Sequence, residues 1–153
     1  MIPSFSVGGL QNPSSASSAY RGRASQGWME SATLHKHRIS DNASAAVRKL
    51  QSFRQLNTDW DSYGAAKPSG KAITEAIHFV RSLDRVGKAV YFVAPGPDGE
   101  ILVELRQAEQ SVEVYFDEEG MGSYLIFDNG NLLHQPSAFQ NVYQLLHACG
   151  WMP

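Results

Sequence analysis

At 153 residues, with 42% hydrophobic and 10% aromatic side chains, the chain has apolar mass for one hydrophobic core and is short for two. No apolar run approaches the roughly 18 residues of a membrane helix, and no charged head followed by an apolar block opens the sequence, so the expectation is a cytoplasmic protein with no membrane partner. The formal charge of −2 hides an uneven layout: residues 1–40 carry Arg21, Arg23, Lys36 and Arg38 against Glu30 (+3), residues 41–97 carry eight basic and five acidic residues (+3), and residues 98–153 carry Arg106 against nine carboxylates (−8). Phosphate contacts need a basic face, so nucleic acid is not an expected partner of the folded part. The single cysteine, Cys149, excludes an internal disulfide and a thiolate-based zinc site.

Residues 1–41 are rich in Ser and Gly and lack apolar periodicity, which predicts a flexible basic arm. Within it Tyr20 and Trp28 are candidate anchors for a partner, and Arg21 and Arg23 are candidate orienting charges. Residues 42–153 then read as a single α+β domain. A first helix is expected from a cap at Asp41 or Asn42 to about Leu56, with Ala43, Ala46, Val47, Leu50 and Phe53 on one side. A second starts after Ser69, with Ile73, Ala76, Ile77, Val80 and Leu83 forming its apolar stripe.

From residue 89 the period shortens to two. "KAVYFVAP", "EILVELR", "SVEVYF" and "SYLIFD" read as four strands joined by the turns "PGPDG" and "DEEGMG" and a short link between the second and third. Connections this short require an antiparallel meander. Ile101, Val103, Leu105, Val112, Val114 and Phe116 are expected to face the helices. Glu100, Glu104, Glu113 and Tyr115 then take the opposite face with Leu102 and with Leu125 or Phe127. Because that face keeps apolar groups, Glu104, Glu113 and Tyr115 are candidate partner-binding residues. "DNGN" is expected to end the sheet, Ser137 to cap a last helix with Phe139, Val142, Tyr143, Leu146 and Cys149 in a stripe, and Gly150 to close it. The expected fold is a four-stranded antiparallel meander packed by two N-terminal helices and one C-terminal helix.

The loop "NTDWDSYGAAKPSG" at 57–70 concentrates Asp59, Trp60, Asp61 and Tyr63. Paired carboxylates can share a proton, hold a metal ion or divide acid and base roles. They can equally accept backbone N–H groups of their own turn, with a buried Trp60 bridging the helices and the sheet. No imidazole or further oxygen ligand stands at a metal-binding spacing, no nucleophile elbow or phosphate-cradling loop occurs, and no cofactor is expected.

This segment, followed by "YFVAPGPDGEILVEL", resembles a family of small bacterial proteins of uncharacterised function with a Trp-Asp-x-Tyr-Gly-Ala segment and a Pro-x-Pro-Asp-Gly turn. The resemblance covers roughly residues 45–128. Trp60, Asp61, Tyr63, Asp98 and Gly99 are the matched positions; Leu105 stands where the family pattern has Trp. The resemblance implies a shared fold, makes these residues fold determinants or a loop site, and brings no activity with it.

The functional expectation is a non-enzymatic protein–protein interaction module, an accessory, immunity or anti-defence factor of a bacterium or mobile element, whose partner is another protein or a second copy of itself. The alternative is a small hydrolase or metal-dependent enzyme using Asp59 and Asp61, with Asp98 and His134 approaching in space.

Overall fold

A serine starts the first helix. The computed structural model describes residues 38–133 and 135–152, and in it α1 (Asp41–Ser52) begins at Ser40, whose hydroxyl accepts from Ala43 N at 3.1 Å. The expected caps do other work. Asp41 places its charge in the first turn, where the helix dipole favours an anion. Asn42 reaches the sheet: its Nδ2 donates to Val90 O at 2.8 Å and its Oδ1 accepts from Val90 N at 2.9 Å. A carboxamide carries both a donor and an acceptor, so it stands in for a neighbouring strand. The helix tightens into a 3₁₀ turn over Phe53–Gln55, short of the expected end at Leu56.

α2 (Gly70–Arg85) starts at Ser69 as expected, the hydroxyl accepting from Ala72 N at 3.3 Å. Its whole predicted stripe is buried, with Ala72 and Phe79 beside it.

The strands are β1 (Phe92–Pro95), β2 (Ile101–Gln107), β3 (Gln110–Phe116), β4 (Gly122–Asp128), β5 (Asn131–Leu132) and β6 (Ser137–Ala138). They pair antiparallel in the order β1-β2-β3-β4-β5, with β6 also on β4. The four expected strands are joined by two short ones. Asn129 (φ 51°) and Gly130 (φ 81°) form a two-residue turn that returns the chain against β4 and does not end the sheet; Asn-Gly is the pair best suited to that left-handed geometry. Leu133 N then bonds Ile126 O at 2.8 Å, and Tyr124 pairs with Ser137, so the outer edge of β4 is occupied. The other edge is guarded by different means: Asn42 satisfies Val90, Lys49 Nζ lies 5.5 Å from the centre of the Phe92 ring, and Pro95 has no N–H to offer.

Ser137 is therefore a strand residue, and Asn141 caps α3 (Val142–Cys149), accepting from Gln144 N at 2.9 Å while Gln144 Oε1 accepts from Gln140 N at 2.8 Å. Gly150 closes it at φ 72°. The buried stripe is Val142, Leu145, Leu146 and Cys149, while Tyr143 is 57% exposed and points away from the core.

One cluster holds the core. Leu50 of α1, Ile73, Val80 and Leu83 of α2, Leu145 and Leu146 of α3 and the inner-face residues Ile101, Val103, Leu105, Val112 and Val114 are almost completely buried together. At roughly 1.5–3 kcal/mol for each buried large aliphatic side chain, this cluster is what holds the helices on one face of the sheet. Residues Ile39–Pro153 make up one unit in this respect. Tyr20, Arg21, Arg23 and Trp28 of the expected arm, and His134, lie outside the described residues. Among the described residues, no helix is long and apolar enough to cross a membrane.

Candidate binding face

Two places collect the residues singled out by sequence. The first is the loop before α2, where both aspartates are spent on backbone. Asp59 Oδ1 accepts from Gly64 N at 2.7 Å, and Asp61 Oδ1 accepts from Tyr63 N at 2.8 Å and Ala65 N at 3.1 Å. Asp59 N closes the loop onto Ala65 O at 2.7 Å. Asp59 and Ser62 both sit at φ 66°, a left-handed conformation that a short polar side chain bonded to nearby backbone tolerates. Trp60 departs from expectation: it is half-buried and lies outside the core cluster, with its Nε1 donating to Ala66 O at 3.0 Å. The loop is held by its own hydrogen bonds, so the ring can lie along it without plugging the core. Tyr63, at the tip, is 92% exposed.

The β1–β2 turn docks against this loop. Ala66 N donates to Pro97 O at 2.8 Å and Ser69 N to Gly99 O at 2.9 Å. Gly99 has φ 87°, and a Cβ there would lie 3.3 Å from Lys67 O, so both its conformation and its closeness to the loop call for glycine. The loop before α2 and the β1–β2 turn are thus one backbone clasp. Asp98 is exposed, with its N–H donating to Glu100 Oε1 at 2.8 Å. Among the described residues no group of three His, Cys, Asp or Glu side chains could hold a metal ion.

The second place is the outer face of the sheet. Register puts Phe92, Glu104, Glu113 and Leu125 in one row across β1–β4, and Ala94, Leu102, Tyr115 and Ser123 in the next. Beyond Glu113 the rows continue with Ser111, Phe127 and Leu132. The expected assignment of faces holds: the inner residues are buried, and this row set is half-buried to exposed, with Phe92 at 44% and Leu132 at 49%.

Glu104 and Glu113 are direct cross-strand neighbours. Like charges so placed repel, and each has a local partner. Arg106 Nε donates to Glu104 Oε2 at 2.8 Å while its guanidinium lies 3.8 Å from the centre of the Tyr91 ring; Tyr115 OH donates to Glu113 Oε1 at 2.7 Å. The hydrogen bond to Glu104 raises the Arg106 pKa further. The Tyr115 phenol is pushed up to about 12, first by burial, then by its bond to Glu113 and by the charges of Glu113, Glu100 and Glu104, so it remains a donor at neutral pH. Glu104, Glu113 and Tyr115, chosen from sequence alternation, are therefore adjacent. Sequence reasoning missed Tyr91 and Phe92 as the aromatic border of this patch, although "YF" within an edge-strand run is a readable signal. It also missed Trp151, which is 7% exposed and donates from Nε1 to Gln110 Oε1 at 2.6 Å.

Cys149 is buried, and burial pushes its thiol up to about 11, far from nucleophilic chemistry at neutral pH. Comparison with protein-family models, with curated proteins and with solved structures gives no match.

Proposed function

We propose that the folded domain is a protein-binding module whose recognition surface is the outer face of the sheet, and that its partner presents a Lys or Arg side chain from an apolar setting. The observation that carries this reading is the Glu104–Glu113 pair at the centre of a face bordered by Phe92, Leu102, Leu125 and Phe127. Interface centres combine apolar contact with a few desolvated polar groups, and a cation between the two carboxylates would relieve their repulsion. One cation, Arg106, already serves Glu104; among the described residues Glu113 has only the neutral Tyr115 hydroxyl. Isologous pairing of two copies through this patch would set carboxylates against carboxylates, so the favoured partner is another protein. An accessory, immunity or anti-defence role is the setting such a module would serve.

The enzymatic alternative has less behind it, because Asp59 and Asp61 bind the N–H groups of their own loop. The test is comparative capture: the full chain and Glu113→Lys are each used as bait in extract from the source organism at low and high salt. A partner retained by the natural chain, released by salt and lost on Glu113→Lys at unchanged melting temperature supports the reading. Equal capture by both baits refutes it. A hydrolytic activity abolished by Asp61→Asn in a folded protein would replace it with the enzyme.

A further inference from the structure

We propose that the groove between α2 and the N-terminal end of α3 is a second site, separate from the sheet face, and that it takes a small aromatic carboxylate. The groove encloses about 270 Å³, just under the roughly 300–1,000 Å³ of drug-sized ligand pockets, which suits a one-ring acid. Its floor is aromatic. The Phe79 ring centre lies 5.5 Å from those of Phe116 and Phe139, at interplanar angles of 59° and 60°. Phe79 and Phe116 are each 5% exposed, so it is the half-buried Phe139 that offers a ligand ring an edge-to-face contact.

The polar ends give the groove a direction. Arg85, an exposed residue, lines it, and among the described residues its guanidinium has neither hydrogen bond nor ion pair; it is therefore free to turn to a carboxylate in the groove, which a guanidinium can hold through two parallel bonds. Glu75 lines it ten residues earlier on the same helix, about 15 Å away at 1.5 Å per residue. A carboxylate ligand is repelled from Glu75 and attracted to Arg85, so its acid group points to the Arg85 end while its ring packs on Phe139.

Phenylacetate is the probe, with phenylacetamide as its uncharged counterpart, each titrated into the full chain by calorimetry and ligand-observed NMR. Phenylacetate is expected to bind, and Arg85→Gln to weaken it about tenfold or more while leaving phenylacetamide unchanged, as loss of a charge-assisted pair requires. Ser82→Phe, which fills the groove from the half-exposed side of α2, should abolish both, with melting curves confirming that each variant is folded. No binding of phenylacetate by the natural chain up to about 10 mM, a level weaker than any useful site, overturns the proposal. Equal binding by Arg85→Gln overturns it as well, because the groove would then be an unselective apolar trap.

Discussion

Replacing Asp61 by Ala removes the acceptor for two N–H groups, those of Tyr63 and Ala65. The two losses differ. Tyr63 is at an exposed tip, and its N–H can turn to water at little cost. Ala65 is 2% exposed, so its N–H is left unpaired, at about 1–3 kcal/mol for a buried donor. Together these set the destabilisation at about 2 kcal/mol, which lowers the melting temperature of a domain this size by roughly 5–10 °C. Asp61→Asn keeps an oxygen in place and gives up only the charge on the acceptor, so about half that loss is expected. Trp60→Phe removes the bond to Ala66 O and should cost about 1 kcal/mol, well below the roughly 3–5 kcal/mol of a fully buried aromatic truncated to Ala. Thermal melts followed by circular dichroism rank the variants. If Asp61→Ala melts with the natural protein, the clasp does not depend on this carboxylate and the reasoning fails.

Gly122→Ala would place a Cβ 2.7 Å from Phe139 Cε1 and 3.3 Å from Phe116 Cε1; the expected cost is about 1–3 kcal/mol, and a melt within error of the natural protein would show that the Phe139 ring is not seated on that backbone. Tyr115 gives a pH-dependent outcome: its folded pKa is raised from 10.0 to about 12, so the stability that its protonated form contributes is complete below about 10 and disappears as pH climbs through about 12. Denaturant unfolding across that window should be steeper in pH for the natural protein than for Tyr115→Phe, and identical profiles would contradict a phenol whose pKa is raised by burial and by its bond to Glu113.

Elements whose signal is local were legible in the sequence. Ser69, the 3.6-residue stripe of α2, the alternation of β2 and β3 and the left-handed stop at Gly150 each depend on neighbours a few residues away, and all appear where expected. Alternation by itself also sorts the two faces and puts Glu104, Glu113 and Tyr115 on one surface, as the strand register bears out.

What only the tertiary structure decided depends on partners distant in the chain. Asn42 leaves the helix cap to Ser40 because Val90, 48 residues on, offers a backbone N–H and C=O that a carboxamide can pair. Ser137 becomes a strand residue because the Asn129-Gly130 turn has already carried the chain back along β4. Trp60 stays half-buried because Asp59 and Asp61 close the loop on itself and the helices fill the core without it. The Glu104–Glu113 opposition needed strand register, and the groove beside Arg85 needed two helices to meet. Periodicity reports which side of an element is apolar; which other element covers that side is set by packing across the whole chain.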